Sequence, residues 1–344
     1  MSLVESMASV SGAFDTIPII DIGHASTPKE RAALAQQIRE ACMSVGFFYI
    51  KNHGIPEETI DKVLSAMKAF FALPTETKMK LHHRKGPHYR GYEPLLDSNI
   101  DPANRGDLYE GFVIGKEDLV PKEDEDNEAG DDTTVIENLW PSEPAEFREA
   151  FVNYYHAAFG VAKDLYRLFA LALDLPETYF DDKFKRCPIM RGLHYPPQTG
   201  PEDDRIIGIG AHSDFECFTI LWQEPGIQAL QILNSEKKWI NATPIPGTLV
   251  INIGDLLSRW TNGIFRSAVH RAINRSGIRR YSIPLFNGTD PHVEVEPLPT
   301  CVSAERPAKY EIINSGEYVR KRVQEMYQGS FTSPNGTTGN DDGQ

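Results

Sequence analysis

Three short stretches of the sequence carry side chains whose types and spacing could do chemistry. Ala211-His212-Ser213-Asp214 sets an imidazole and a carboxylate two positions apart. On an extended segment i and i+2 point to the same face, so both could reach one ion. His270, in Ser267-Ala268-Val269-His270-Arg271, supplies a third candidate ligand 56 residues after Asp214. Two imidazoles and one carboxylate on one side of an ion leave three positions open, which is the donor set of non-haem Fe(II) oxygenases. Ten residues after His270, Arg280-Tyr281-Ser282 places a guanidinium and a hydroxyl at i and i+2. If that face is interior, the guanidinium needs an anionic partner, because an unpaired buried charge is costly. A small dicarboxylate holding the metal with one end and Arg280 with the other would meet both needs. Taken singly, none of these stretches is specific. A lone His-x-Asp arises by chance, a single His is usually a satisfied polar residue, and a strand Arg commonly reaches water. Their joint occurrence, in this order and on β-prone segments, is what points to function.

The elements that must position these side chains are legible in outline. Ile17-Pro18-Ile19-Ile20-Asp21-Ile22 reads as a short strand, its proline suiting an edge or first position. Thr27-Pro28-Lys29-Glu30 opens a helix, with Thr27 as cap, Pro28 at the first helical position and Glu30 closing a capping box. That helix is expected to stop at Gly46, before the β-prone Phe47-Phe48-Tyr49-Ile50. A second helix follows Pro56, with Ile60, Val63, Ala66, Met67 and Phe70 at helical spacing. Leu81 to Asp118 reads as irregular. Pro144 to Leu175 is a long helical pattern. From Met190 to about Val295 the chain breaks into short β-prone segments split by Gly, Pro and Asn, as a sandwich or barrel requires. Ser315 to Tyr327 predicts a last amphipathic helix.

Composition narrows the functional classes. The 344 residues carry 35 Lys+Arg against 49 Asp+Glu, a net charge of −14, and nine of those acids fall with one Lys between Glu117 and Asp132. An acidic chain with no basic stripe argues against nucleic-acid binding, and the acidic run reads as a solvated loop. No apolar run approaches the roughly 18 residues that span a bilayer, so no membrane association is expected. Neither an export signal nor a disulfide framework is evident: Cys42, Cys187, Cys217 and Cys301 lie far apart. A cytoplasmic location and a monomeric state are expected.

The sequence resembles the Fe(II)/2-oxoglutarate-dependent dioxygenases of the isopenicillin N synthase-like family, over roughly Ile17 to Tyr327. Beyond His-x-Asp, His and Arg-x-Ser, the resemblance is carried by Ile17-Pro18-Ile19-Ile20-Asp21 and by Val45-Gly46-Phe47-Phe48-Tyr49-Ile50-Lys51-Asn52-His53-Gly54-Ile55. Arg90-Gly91-Tyr92, Tyr109-Glu110-Gly111-Phe112, Gly254-Asp255-Leu256-Leu257 and Asn262-Gly263 are similar to later landmarks of the family. The resemblance implies an α+β fold, a double-stranded β-helix (jelly-roll, cupin-like) core flanked by helices. It divides the chain into a flexible N-terminus (1–14), an N-terminal dioxygenase module (15–115), the acidic loop (116–135) and a helical connector (136–185). The jelly-roll core (186–300), a C-terminal segment with a helix (301–328) and a disordered tail (329–344) complete it.

The resemblance further implies that His212, Asp214 and His270 bind Fe(II), with no catalytic residue separate from the metal ligands, and that Arg280 and Ser282 hold the distal carboxylate of 2-oxoglutarate. Tyr195, in Leu193-His194-Tyr195-Pro196-Pro197, matches a family tyrosine that helps bind that carboxylate, while Leu193 stands where an Asn is usual. Arg191 and Tyr195 share a strand face, so an inward Tyr195 brings Arg191 inward too, either toward the metal-side carboxylate of the co-substrate or a polar group of the substrate, or to the barrel mouth in water. By the same alternation Phe286 joins Arg280 and Ser282 at the cavity, where it could stack on a flat substrate or simply pack; Phe215 carries the same choice. The implied activity is oxidation, by default hydroxylation, of a C–H bond of a small molecule with O2, releasing succinate and CO2, with ascorbate as an assay reductant. The pattern looks more like fungal and bacterial members, including thymine 7-hydroxylase-like and secondary-metabolite enzymes, than like plant flavonoid enzymes. Other readings are an iron oxidase of the isopenicillin N synthase type that does not use 2-oxoglutarate, an ethylene-forming or desaturating variant, and a non-catalytic jelly-roll binding module.

Overall fold

A computed structural model describes residues 13–86, 89–100, 106–119, 137–184, 188–198 and 208–328. The C-terminal tail and most of the N-terminus and acidic loop lie outside the described residues. Strand β1 (Ile19–Asp21) is followed by helix α1 (Pro28–Ser44), which begins on the expected capping box. The Thr27 hydroxyl accepts from the Glu30 amide at 3.2 Å, and the Glu30 carboxylate accepts from the Thr27 amide at 2.8 Å. Gly46 then turns the chain at φ +76°, and a Cβ there would come within 2.1 Å of the Arg266 carbonyl, so no other residue fits. Strand β2 (Phe47–Lys51), helix α2 (Glu57–Phe71) and helix α3 (Thr75–Met79) follow.

Strands β3 (Gly91–Glu93) and β4 (Glu110–Ile114) run through the stretch that reads as irregular in the sequence. Their burial explains why they are hidden: all eight residues are buried, so β4 shows no alternation of polar and apolar positions. Helix α4 (Phe147–Ala172) packs on α1 and α2. The β-rich part supplies β5 (Ile189–Tyr195), β6 (Ile209–His212), β7 (Phe218–Gln223), β8 (Leu230–Leu233), β9 (Trp239–Asn241) and β10 (Thr248–Ile253). After helix α5 (Asp255–Trp260) come β11 (His270–Ala272), β12 (Arg280–Asn287), β13 (Glu294–Val295), β14 (Ile313–Asn314) and helix α6 (Ser315–Gln328). None of the described helices is long and apolar enough to cross a membrane.

An eight-stranded sheet has the order β1-β2-β10-β7-β12-β5-β4-β3, and a four-stranded sheet has the order β6-β11-β8-β9. Among the described strand pairs only β1–β2 is parallel. The architecture is the double-stranded β-helix, and one cavity is lined from both sheets. Strand alternation decides which side chains reach that cavity. Along β12, Tyr281, Ile283 and Leu285 join the core under the helices, while Arg280, Ser282, Pro284 and Phe286 line the cavity. Along β5, Met190 enters the same core and Arg191, Leu193 and Tyr195 line the cavity. Between them Gly192 lets α4 approach: a Cβ there would stand 2.9 Å from the Phe151 ring.

A buried ion pair fixes the outer side of β5. The Lys78 ammonium lies 2.6 Å from Glu110 of β4, whose carboxylate also contacts the Tyr92 hydroxyl at 2.6 Å and the His194 ring at 2.8 Å. Burial alone would raise the Glu110 pKa, but His194, Lys78 and Tyr92 together hold it below the usual 4.5. Its stabilising effect is therefore present above pH 4.5 and lost as pH falls through the lowered value. Removing one member of such a pair strands the other, so Lys78→Met is expected to cost roughly 3 kcal/mol in urea unfolding at pH 7. A loss under about 1 kcal/mol, the level of an exposed pair, would contradict this account.

Candidate active site

The three candidate ligands converge. His212 ends β6 and His270 opens β11, and the two residues pair directly across the small sheet, their rings 4.3 Å apart. Asp214, two residues beyond β6, turns one carboxylate oxygen toward both rings: Oδ1 lies 3.5 Å from His212 Nε2 and 3.7 Å from His270 Nε2. One ligand atom from each residue falls within 4.8 Å of the others, a spacing that could hold a metal ion. Backbone carbonyls orient both imidazoles. His212 Nδ1 lies 2.8 Å from the Gly210 carbonyl and His270 Nδ1 3.2 Å from that of Ala268, so the Nε2 lone pairs are left facing Asp214. The second oxygen of Asp214 accepts from the Thr219 hydroxyl at 2.5 Å and the Asn252 amide at 2.7 Å.

The electrostatics of Asp214 and His270 match this donor set. Burial would raise the Asp214 pKa, but His270, His212 and the Thr219 hydroxyl hold it well below the ordinary range, so it stays ionised. Burial and the neighbouring His212 push His270 down to about 4, which leaves its imidazole neutral. In His212 the burial penalty is outweighed by Asp214, and the pKa is raised.

Across the cavity, Arg280 is 1 % exposed. It pairs in register with Tyr195 on β5, and its guanidinium lies 4.8 Å from the Tyr195 ring centre. One amino group donates to Gln223 Oε1 at 3.2 Å, while Nε and Nη1 have no hydrogen-bond partner. Among the described residues no carboxylate pairs with it. The Ser282 and Tyr195 hydroxyls stand 3.5 Å apart beside it. Buried N–H groups of this kind are costly unless an acceptor arrives from outside the chain.

The substrate-side candidates also reach the cavity. Arg191 is held by Glu93, fully buried on β3, at 3.6 Å, and by the Tyr109 and Tyr327 hydroxyls at 3.2 and 3.4 Å. Its side chain also lies 5.7 Å from the Phe286 ring. Phe215 lines the cavity beneath the Arg322 guanidinium, 4.4 Å away, which Asp255 anchors at 3.0 Å. Helix α6 closes this end with Val319, Val323 and Met326.

Several residues at the site carry no clear signature in the sequence. Thr219 and Asn252 orient Asp214; the local signal is a polar residue among mostly apolar neighbours at each position. Glu93 and Tyr327 meet across 234 residues, which no local pattern reveals. Glu216 lines the cavity as well, pushed up to about 7 by burial and by Asp214. A second cluster, His82, His83 and Asp97, also brings ligand atoms together, although Arg84 already contacts Asp97 at 3.2 Å.

Residues 186–289 match the 2OG-Fe(II) oxygenase superfamily, and residues 17–143 match the family described as non-haem dioxygenase in morphine synthesis N-terminal. The 2-oxoglutarate-Fe(II) type oxidoreductase hxnY of Emericella nidulans is 37 % identical over 318 residues, covering 90 % of each chain. The chain belongs to the 2OG-Fe(II) oxygenase superfamily. A 2OG-Fe(II) oxygenase family protein of Caulobacter crescentus superposes with a TM-score of 0.76 at 31 % identity, covering 91 % of this chain and 99 % of that one. A full-length Neurospora crassa protein crystallised with alpha-KG and thymine gives a TM-score of 0.78 at 27 % identity, over 91 % and 96 % of the two chains. This oxygenase is accordingly an Fe(II)- and 2-oxoglutarate-dependent dioxygenase acting with O2, an oxidoreductase with a small-molecule substrate.

Proposed function

We propose that His212, Asp214 and His270 hold the ferrous ion, that Arg280, Ser282 and Tyr195 hold the distal carboxylate of 2-oxoglutarate, and that the enzyme hydroxylates a small molecule lying against Arg191, Phe215 and Phe286. The observation that carries this reading is Arg280: a fully buried guanidinium with two unpartnered nitrogens, aimed into the cavity that the ligand triad also lines. A dicarboxylate supplies what it lacks. The donor set fits ferrous iron, since two imidazoles and a carboxylate on one side leave positions open.

When bound, iron with 2-oxoglutarate and O2 supplies the oxidising chemistry, and succinate and CO2 are its by-products. The residues of this chain position and enclose. Gly210 and Ala268 carbonyls fix the imidazole rings, and Thr219 and Asn252 fix Asp214. Aliphatic Ile189, Leu193, Val319 and Val323 exclude water from the reacting end. Thymine, the ligand of the Neurospora structure, is a flat ring, and the Phe215 and Phe286 rings of this cavity would accept a flat substrate. A role in secondary metabolism and a hydroxylation outcome belong to this proposal.

Anaerobic addition of 2-oxoglutarate to the ferrous enzyme is expected to produce the metal–co-substrate charge-transfer absorption, and screening for compounds that perturb it will find the substrate. No absorption on addition of both components would sink the reading. Outer contacts tune ligands by about 10- to 100-fold in metal affinity, so Asn252→Ala is expected to weaken Co(II) binding by about tenfold. Titration calorimetry with unchanged affinity would show that Asn252 does not position Asp214.

A further inference from the structure

Among the described residues that line the cavity, Glu216 is an acidic side chain for which no hydrogen-bond donor and no ion-pair partner is found. Its backbone is fixed, because its carbonyl accepts from the Leu256 amide at 3.2 Å and a Cβ on Gly254 would come within 2.2 Å of that oxygen. Its carboxyl rests on the bare Cα of Gly288, just past β12, where a Cβ would fall 1.9 Å from Oε2 and 2.8 Å from Cδ. The absence of a side chain at 288 thus makes the space this carboxyl occupies. Among the described residues it has no hydrogen bond and no ion pair, although it lines the cavity.

The other charged side chains of the cavity already have partners. Arg191 is balanced by Glu93 at 3.6 Å. Arg271 donates to Gln231 at 2.9 Å and stacks on Trp239 at 3.9 Å. Asp107 accepts from the amides of Gly210 and Ile100 and from the Ser98 hydroxyl. With the cavity used as proposed, ferrous iron and Arg280 together cancel Asp214 and the dianionic co-substrate. Among the described residues that leaves the Glu216 carboxyl without a hydrogen-bond donor. A donor that arrives with the substrate would stabilise such a group.

We propose that Glu216 is a specificity-determining residue that binds a protonated nitrogen of the substrate, so that this oxygenase acts on small organic cations. The aromatic rings of Phe215 and Phe286 line the same cavity, and rings of this kind favour a flat cation. This inference rests on the proposed use of the cavity for substrate, and its test separates the two.

Benzamidine, benzamide and benzoate share a flat ring and differ in charge. Titration calorimetry of the anaerobic Fe(II)–2-oxoglutarate enzyme is expected to show benzamidine binding about tenfold more tightly than the other two. Glu216→Gln should abolish that preference, weakening benzamidine about tenfold and leaving benzamide unchanged. Gly288→Ala, which evicts the carboxyl without removing it, should act in the same direction. Affinity for 2-oxoglutarate should be unchanged in both variants. Wild-type enzyme that binds benzamidine no better than benzamide, or Glu216→Gln that keeps the preference, overturns the inference. Failure of the wild type to bind 2-oxoglutarate would instead overturn the functional reading beneath it.

Discussion

Asp214→Ala is expected to abolish substrate-coupled succinate formation, with kcat/KM falling by about a thousandfold or more, some 4 kcal/mol of lost transition-state stabilisation. The size of the effect follows from how Asp214 is held. Thr219 and Asn252 bind one of its oxygens at 2.5 and 2.7 Å, so the other is directed at the two imidazoles rather than free to wander. Alanine removes the only anionic donor of the triad and leaves two imidazoles that repel once both are protonated. Iron content, measured after anaerobic loading and desalting, should fall with activity. Asp214→Asn separates loss of charge from loss of volume: it keeps the shape and the amide-sized contacts, and should fail as badly in activity. Succinate production within about tenfold of wild type in either variant would remove Asp214 from the metal site. The thermal midpoint of the metal-free protein should change little, because the variant also deletes a buried charge.

The parts of the molecule that are legible in the sequence are those set by local rules. Thr27, Pro28 and Glu30 announce the start of α1: the Thr27 and Glu30 side chains each satisfy an otherwise orphaned backbone amide, and Pro28 has none to satisfy. The two-residue period of β12 is enough to put Arg280, Ser282 and Phe286 on one face, and the same period on β5 carries Arg191 and Tyr195 to the cavity. What stays hidden depends on contacts between distant segments. Strand β4 is unreadable because Glu110 and Gly111 look like loop residues. Their place becomes clear only when Lys78, Tyr92 and His194 surround the glutamate. Arg39 looks like a surface residue of α1, yet it donates to the Ala172 carbonyl at the end of α4 at 2.6 Å and is 8 % exposed. Glu93, Tyr109 and Tyr327 form the anchor of Arg191, and they come from β3, the residue before β4 and α6. Alternation tells which way a side chain points; it cannot tell what waits for it there.

Arg280→Leu should separate function from stability, with opposite signs. For function, the lost partner is a charge-assisted contact to a dicarboxylate, and the KM for 2-oxoglutarate should rise about 100-fold. Iron content should be nearly unchanged, since Arg280 touches none of the ligand triad. Arg280→Lys restores a charge but not the planar fork, and should recover only part of the loss. For stability, the wild-type guanidinium is buried with Nε and Nη1 unpartnered, so the co-substrate-free protein carries an unfavourable group in its core. Leucine removes it, and the variant without 2-oxoglutarate should melt above the wild type, by the few degrees that about 1 kcal/mol gives in a chain of this size. Saturating 2-oxoglutarate should then raise the wild-type midpoint strongly and the variant's hardly at all, because only the wild type binds it tightly. An unchanged KM would mean that the buried guanidinium serves some other anion. A variant that melts lower while losing 2-oxoglutarate would mean that Gln223 and Tyr195 already satisfy Arg280 in the empty cavity, so that the arginine is a structural residue that the co-substrate merely borrows.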